Sequence, residues 1–384
     1  MRSLSAAILL SLLAACGEPT LPPPNELGRL VVVTREGPNT YQIDGSGKAS
    51  GFEHDLVALF AQELGLKVRF VLAQDDGGIA AILEKGRAHM AAANLSPGDH
   101  PALRFTRPLV EMKPTRAALD GVLPFDGSGG FNGRNPAASA WAFPANSDEA
   151  LLRRAETFLE RIRRDGTLER LVDRYFGHVH RLAASDVERF LERMHRILPH
   201  YRRHFIDAQE IHGIDWRLLA ALAYQESHWD PLATSYTNVR GMMMLTEDTA
   251  DRLRVSDRLD ARQSILAGTR YLAELREQLP PEAPEPDRIW LAVAAYNLGM
   301  GHLNGARFIA SLVKRDPNSW YEMKQVLPLL AKPEYYSRLK SGAARGGEAV
   351  IMTENIRTYY DILRRFEKPA LGPQAFSMSS MSPM

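Results

Sequence analysis

The stretch from Trp216 to Leu245 reads WRLLAALAYQESHWDPLATSYTNVRGMMML and decides how the second half of the chain is interpreted. Asp215 is a typical helix N-cap, and the proline after Asp230 disfavours helix at that aspartate. The sequence therefore predicts a helix that begins at Trp216 and ends before Asp230. Its apolar residues recur at the spacing of one helical face, and Glu226 continues that face. We expect a carboxyl group on the buried side of a helix, in a poorly solvated groove.

A carboxyl group in this position has two physical reasons to keep its proton. Burial removes the water that would stabilise its charge, and the C-terminal end of a helix carries negative partial charge. Both effects raise the pKa of Glu226 toward the range in which a general acid works. From the spacing alone, a glutamate at the solvated border of the apolar face is the favoured alternative.

The residues around Glu226 resemble the signature of the soluble lytic transglycosylase catalytic domain. Three groups of residues carry this resemblance in the family's order: Glu226-Ser227 with Gly241–Leu245, Ala295-Tyr296-Asn297, and Glu354-Asn355-Ile356-Arg357. The resemblance covers residues 185–367 and implies a mainly α-helical, lysozyme-like catalytic domain. Tyr335-Tyr336-Ser337 falls where the C-terminal part of such a domain lies.

The resemblance implies a peptidoglycan lyase that works with one carboxyl group and no cofactor. Glu226 would protonate the glycosidic oxygen between N-acetylmuramic acid and N-acetylglucosamine. It would then accept the proton of the muramoyl 6-hydroxyl as that group closes on C1, which gives a 1,6-anhydro product without consuming water. Glycosidases generally use a second Asp or Glu, whereas one carboxyl can serve as acid and then as base when its pKa is near the working pH.

Five further residues take roles in substrate binding from the same resemblance. Ser227 would orient Glu226 or bind substrate, Met243 and Met244 would line the saccharide floor, and Tyr296 and Asn297 would contact the glycan. Each also has a purely structural explanation. Methionines fill cores, a buried tyrosine needs one hydrogen-bond partner, and an asparagine near a glycine ends helices.

One position departs from the family pattern. Many relatives have a tyrosine two residues before the Glu-Asn-Ile-Arg element, near the catalytic acid, and this chain has Met352 there. A thioether offers no hydroxyl group. Either Tyr335, Tyr336 or Tyr359 compensates, or the activity is lowered.

The first half of the chain alternates predicted strands and helices. The strands are LVVVT (Leu30–Thr34), VRFVLA (Val68–Ala73) and HMAAANLS (His89–Ser96), and the helices are Gly51–Gly65 and Ile79–Gly86. Such alternation is typical of a parallel, wound sheet and predicts an α/β domain.

This order is similar to the first lobe of the family 3 extracellular solute-binding proteins over residues 28–177. The stretches that carry the likeness are Gly51–Leu56, Arg104–Leu109 and a closing helix over Glu149–Gly177. Asp99 stands where that family has an arginine for the ligand carboxylate. Between Leu109 and Trp141 a second lobe should follow, but the sequence there is largely the loop-like FDGSGGFNGRNPAAS. We interpret the module as a degenerate binding lobe that serves as a spacer or as a docking surface, with a protein of the cell-wall machinery as candidate partner.

The N-terminus predicts export and lipid attachment. Residues 1–15 have the short apolar core of a signal peptide, and Leu13-Ala14-Ala15-Cys16 resembles the lipobox of bacterial lipoproteins. Cys16 is the only cysteine, so it forms no internal disulfide. The alternative is a simple secretory signal. Because Gly17 rather than aspartate follows the cysteine, we expect a lipid anchor at the periplasmic face of the outer membrane, followed by a Pro-rich extended tether over residues 16–27.

Composition limits the remaining possibilities. The 384 residues suggest two or three domains, and 47 basic and 46 acidic residues leave a net charge of +1, which argues against nucleic acid as a partner. Two histidine groups, His178-Val179-His180 and the trio His195, His200 and His204, lack a third ligand at recognisable spacing, so we predict no metal site. The segment 368–384 is low in complexity and predicted to be disordered.

The sequence therefore favours a membrane-anchored enzyme that cleaves peptidoglycan glycan strands without water. Two alternatives stay open at this point. One is a hydrolytic muramidase, which would release reducing ends. The other is a catalytically weak peptidoglycan-binding scaffold, which Met352 and the eroded lobe make plausible.

Overall fold

The computed structural model describes residues 21–37, 39–43, 48–97, 100–109, 139–147, 149–178, 182–235 and 238–370. Several sequence predictions concern residues outside these ranges. They are the signal peptide 1–15, the lipidation site Cys16, Asp99, most of the loop-like stretch after Leu109, and the tail from residue 371.

The N-terminal domain begins with a short helix and then alternates strands and helices. Its described elements are α1 (Pro24–Leu27), β1 (Arg29–Thr34), β2 (Gln42–Ile43), β3 (Ala49–Ser50), α2 (Phe52–Leu64), β4 (Lys67–Leu72), α3 (Asp76–Glu84), β5 (Met90–Leu95), β6 (Leu103–Phe105), β7 (Ala140–Pro144), α4 (Glu149–Arg164) and α5 (Thr167–Phe176). The α/β class of this half is confirmed.

The main sheet has the strand order β4-β1-β5-β7-β6. Strand β1 runs parallel to β4 and β5, as predicted, whereas β7 is antiparallel to both β5 and β6. The sheet is therefore mixed rather than wholly parallel. Both faces of β1 are covered: Leu30 and Val32 pack into one apolar cluster, and Val31 and Val33 into another. This double burial explains the continuous apolar run of LVVVT.

Two predictions need correction in this domain. The expected single closing helix is two helices, because Gly166 adopts a left-handed φ of 76° between α4 and α5. The tether prediction is wrong for residues 21–27, which fold onto the domain. The backbone N–H of Leu21 donates to the carbonyl of Gly86 (2.9 Å), and Nε2 of His89 lies 3.0 Å from the carbonyl of Pro22.

The C-terminal domain is helical, which confirms the predicted class. Its described elements are α6 (Ala184–Arg196), α7 (Leu198–His212), α8 (Trp216–Ser227), α9 (Glu247–Leu253), α10 (Ala261–Glu277), α11 (Asp287–Leu298), α12 (Met300–Leu312), α13 (Trp320–Val326), the 3-10 helix Leu327–Ala331, α14 (Pro333–Tyr336) and α15 (Gly346–Phe366).

Helix α8 lies at the centre of the C-terminal core, where it packs on α7 and α15. The segment after α15 is held against helices α7 and α8 by hydrogen bonds. The indole Nε1 of Trp216 donates to the carbonyl of Lys368 (3.3 Å), and Nε2 of Gln209 donates to that of Ala370 (3.1 Å). The prediction of disorder from residue 368 is therefore wrong for residues 368–370. Helix α6 begins at Ala184 without a side-chain cap.

Helix α5 of the N-terminal domain docks on the C-terminal domain through buried polar contacts. The guanidinium of Arg357 donates through Nη2 to the backbone carbonyls of Asp173 (2.8 Å) and Arg174 (2.7 Å). The side chain of Arg174 pairs in turn with Asp287 (2.8 Å), the first residue of α11. Among the residues that the structure describes, no helix combines the length and apolar character needed to cross a bilayer.

Candidate functional site

Glu226 lies one residue before the end of α8. Asp215 caps the start of this helix as predicted, since its carboxylate accepts a hydrogen bond from the backbone N–H of Arg217 (2.9 Å). After Ser227 the chain leaves the helix through two successive residues with positive φ, His228 (52°) and Trp229 (60°). Neither residue is glycine or asparagine, so a positive φ is strained at both positions. The surrounding contacts must hold this turn in place.

The surroundings of Glu226 favour its neutral form. The residue is partly exposed, and in the described part of the chain no hydrogen bond or ion pair engages its carboxyl group. Burial raises its pKa from 4.5 to about 8, and no neighbouring charge contributes to that shift. A carboxyl group in this state is protonated at neutral pH and has an O–H that is free to donate to a ligand.

Two side chains hold the turn after Glu226, and sequence patterns alone did not identify either. The indole Nε1 of Trp229 donates back to the carbonyl of Ala220 within α8 (2.8 Å). Arg193 of α6 donates through Nε to the carbonyl of His228 (2.9 Å). Together these bonds fix the C-terminal turn of the helix that carries Glu226.

Ser227 has a structural role that differs from the predicted one. It is 7% exposed, and its Oγ lies 2.9 Å from the carbonyl of Met242 and 3.1 Å from that of Ala223. Its hydroxyl is therefore committed to the backbone and does not engage Glu226. Ser227 ties the end of α8 to the loop at Gly241.

The loop at Gly241 is a tight turn packed under α8. Gly241 has φ 86°, and an added Cβ would lie 1.9 Å from the carbonyl oxygen of Arg258. The backbone N–H of Met243 donates to Oγ of Ser264 (3.1 Å). The side chain of Met243 is fully buried against Gly268, so the prediction that it lines a saccharide floor is wrong. Met244 is partly exposed, with φ 47°.

Tyr296 and Asn297 end helix α11 near this loop. The hydroxyl of Tyr296 donates to the carbonyl of Met243 (2.8 Å), and its ring centroid lies 5.2 Å from that of Tyr271. Burial, and after it the charge of Glu226, raise the pKa of Tyr296 well above its usual value, which places the phenol within electrostatic reach of the acid. Asn297 is exposed, and nothing in the described residues hydrogen-bonds its amide.

Met352 lies in the core and is 8% exposed. Of the tyrosines considered as substitutes, Tyr359 packs against Phe190 and Tyr224, with ring centroids 4.7 and 4.8 Å away. No described contact joins Tyr335, Tyr336 or Tyr359 to Glu226. Tyr296 is the phenol whose pKa responds to Glu226, and sequence reasoning had given it a role in substrate contact only.

Neither a metal site nor a second acid that acts on Glu226 is present among the described residues. Across the described ranges, no three side chains of His, Cys, Asp or Glu come together as metal ligands. Asp230, Glu247 and Asp248 are exposed, and none of them shifts the pKa of Glu226. Within the described chain, the chemistry available at this site is that of a single neutral carboxyl group.

Two families match separate regions of the chain. The family described as "Bacterial extracellular solute-binding proteins, family 3" matches residues 30–178, and the "Transglycosylase SLT domain" matches residues 203–311. One solved structure, an ancestral cationic amino acid solute binding protein, is 19% identical with a TM-score of 0.32 and covers 40% of this chain and 97% of its own.

Curated relatives match over nearly the whole chain. A protein from Methylobacillus flagellatus named "Membrane-bound lytic murein transglycosylase F" is 41% identical over 96% of this chain and 95% of its own length. A protein of the same name from Nitrosospira multiformis is 39% identical over 96% and 94%. With this identity and coverage, the chain belongs to the membrane-bound lytic murein transglycosylase F family.

Proposed function

We propose that the chain is a peptidoglycan lytic transglycosylase in which Glu226 acts first as the general acid and then as the general base. The observation that carries this proposal is the neutral carboxyl of Glu226, whose pKa burial raises to about 8 and which the described residues leave without a hydrogen-bond partner. Such a group donates its proton at neutral pH. The family of the chain supports peptidoglycan as its substrate.

The reaction balances with this one carboxyl group. Glu226 gives its proton to the oxygen that joins C1 of N-acetylmuramic acid to C4 of N-acetylglucosamine, and the C1–O bond breaks. The resulting carboxylate faces an oxocarbenium-like centre at C1. It then takes the proton of the muramoyl 6-hydroxyl while O6 bonds to C1. The products are a 1,6-anhydro-muramoyl end and a free 4-hydroxyl, and Glu226 regains its starting state.

Tyr296 and Asn297 are the side chains that we assign to the glycan. Asn297 is exposed at the end of α11 and has an amide free to hydrogen-bond a sugar. Tyr296 is partly exposed, and its ring packs beside Tyr271. Sugar rings present apolar C–H faces, so an aromatic pair next to the acid suits them. Met244, which is partly exposed, remains our candidate in the loop at Gly241.

The location and the N-terminal domain are also proposals. Relatives are named membrane-bound, and Cys16 would supply a lipid anchor that holds the enzyme at the periplasmic face of the outer membrane. A reduced second lobe is supported by the alignment with the M. flagellatus relative. This alignment extends over 448 residues, more than the 384 of this chain, so the relative has residues that this chain lacks. The remaining lobe would then contact a protein of the cell-wall machinery.

Product analysis tests the reaction. Purified sacculi are digested with the wild-type protein and with Glu226→Gln, and the soluble muropeptides are weighed by mass spectrometry. Anhydro-muropeptides from the wild type that are absent with the variant support the proposal. Reducing muropeptides would indicate a hydrolytic muramidase instead. Intact sacculi that retain bound protein would indicate a scaffold.

A further inference from the structure

Arg240 stands directly before Gly241 in the loop that follows the Glu226 helix. Its backbone is held on both sides: its N–H donates to the carbonyl of Leu245 (3.1 Å), and its carbonyl accepts from the N–H of Leu245 (2.9 Å). Two residues further on, the carbonyl of Met242 binds Ser227, the neighbour of Glu226. The loop therefore fixes the backbone of Arg240 close to the end of the catalytic helix.

The side chain of Arg240 has no partner in the described protein. It is partly buried, and its Nε is enclosed without a hydrogen bond. No ion pair, hydrogen bond or aromatic ring engages the guanidinium. Every other arginine of residues 182–370 that is at least partly buried has such a contact. By contrast, Arg258, which lies between α9 and α10, donates to the carbonyls of Asn238 (2.9 Å) and Leu245 (3.1 Å) in the loop that carries Arg240.

Nε of this guanidinium is enclosed without a partner, and the partly exposed side chain can take an acceptor from outside the chain. Polar groups withdrawn from water are nearly always paired in native proteins. The planar fork of an arginine fits a carboxylate best, through two parallel hydrogen bonds. Its charge is not used to ionise the catalytic acid, because no charged group contributes to the pKa shift of Glu226.

The substrate of the proposed function offers such an acceptor. The lactyl group of N-acetylmuramic acid carries a short stem peptide with free carboxylates. Because Arg240 is within the loop that anchors the end of α8, a muramoyl residue whose glycosidic oxygen accepts the proton of Glu226 would bring its stem peptide toward this loop.

We propose that Arg240 binds a carboxylate of the stem peptide on the muramoyl residue being cleaved, and so makes the enzyme selective for peptide-bearing glycan strands. This inference rests on the proposed function. It adds a specificity-determining residue and identifies the part of the substrate that this residue recognises.

The test compares two substrates that differ only in the peptide. Glycan strands are prepared with their stem peptides and, in parallel, after an amidase has removed them. With the full-length protein, kcat/KM on peptide-bearing strands should exceed that on peptide-free strands by about tenfold, the worth of a charge-assisted hydrogen bond. Arg240→Gln should lose this preference because its KM on peptide-bearing strands rises. On peptide-free strands, its kcat/KM should equal that of the wild type. Arg240→Lys should retain part of the preference, since it keeps the charge.

Controls separate recognition from folding and from catalysis. Arg262→Gln removes an exposed arginine of α10 and should leave the preference unchanged. Binding of both strand types is also measured in the inactive Glu226→Gln background. If the wild type is inactive but peptide-bearing strands still bind better through Arg240, the proposed function fails and this inference stands. Equal binding and cleavage of both strand types by the wild type, or an equal loss on both in Arg240→Gln, would overturn it.

Discussion

The hydroxyl of Ser227 lies 2.9 Å from the carbonyl oxygen of Met242, which ties the residue after the catalytic acid to a loop fifteen positions further along the chain. The same loop receives the hydroxyl of Tyr296 at the carbonyl of Met243 (2.8 Å). Two consecutive carbonyls thus connect the ends of helices α8 and α11. The geometry around Glu226 depends on the loop at Gly241 as much as on the helix itself.

Replacing Gly241 by alanine should damage the site through sterics. The new Cβ would lie 1.9 Å from the carbonyl of Arg258, at a φ of 86° that side chains rarely adopt. We expect Gly241→Ala to lower the free energy of unfolding by about 3 kcal/mol. Gly213→Ala is the matched control, because Gly213 also has a positive φ (67°) but nothing within 4 Å of the added Cβ. For Gly213→Ala we expect the free energy of unfolding to fall by about 1 kcal/mol. Urea denaturation measures both, and equal losses would contradict the steric argument.

Removing the indole N–H of Trp229 should impair catalysis more than folding. Trp229→Phe keeps an aromatic ring near Phe190 and Tyr224 but loses the bond to Ala220, at a cost of about 1 kcal/mol. Because the strained turn that follows Glu226 loosens, kcat should fall by about tenfold. Trp320→Phe removes a comparable N–H bond, to Glu354 (2.7 Å), away from the site. It should lower stability and leave kcat near the wild-type value. The same kcat in both variants would argue against a positioning role.

The buried ion pair between Arg357 and Glu354 should be important for the stability of the docked domains. Its atoms are 2.5 Å apart and almost completely buried. Burial acts to raise the pKa of Glu354, but Arg357 and Lys324 outweigh it, so the pKa is lowered overall. Arg357→Met leaves that carboxylate without its closest partner and also removes the bonds to α5, so we expect a loss of about 3–5 kcal/mol.

The control for this pair is Arg196→Met, which breaks a surface pair with Glu192 and should change stability little. Thermal unfolding at neutral pH compares the two variants. Because the folded pKa of Glu354 is depressed, the stabilisation from its charge is present at neutral pH and is lost as the pH falls through that value. A difference between wild type and Arg357→Met that persisted undiminished in acid would contradict this account.

Glu226 should destabilise the native protein as the pH rises. The unfolded chain releases this proton near pH 4.5, whereas the folded protein holds it up to about pH 8. Unfolding is therefore increasingly favoured between these two pH values. Glu226→Gln cannot ionise, so its free energy of unfolding should exceed that of the wild type progressively from pH 5 to pH 8, by about 2 kcal/mol at the upper end after allowance for partial exposure. Urea denaturation at each pH measures this difference. A constant difference across this range would count against a raised pKa.

Local patterns in the sequence predicted the elements that local physics determines. The strand at Leu30–Thr34 follows from its burial on both faces. The helix end at Gly65 follows from the left-handed conformation that glycine adopts there. The cap at Asp215 and the face of Glu226 were predicted in the same way. Each of these features depends on residues within a few positions of one another.

What the sequence missed depends on contacts between distant residues. Strand β7 pairs antiparallel with β5, where Ala142 lies opposite Ala91, and no local pattern encodes pairing between residues so far apart in the sequence. The burial of Met243 requires the absent side chain of Gly268, twenty-five positions away. The guanidinium of Arg240 lacks a partner among the described residues, and no local pattern in the sequence distinguishes it from a paired arginine such as Arg258. A residue's type predicts its chemistry, but its neighbours decide whether that chemistry is available.

The central claim is that burial keeps the carboxyl of Glu226 protonated at the pH where the enzyme works. Carbon-13 NMR of protein labelled at the glutamate side-chain carboxyls measures this directly, with the Glu226 signal assigned by its loss in Glu226→Gln. The account predicts a titration midpoint near 8, which burial alone produces. A midpoint near 4.5, the value of an exposed glutamate, would show that Glu226 is ionised at neutral pH and would contradict its role as the proton donor.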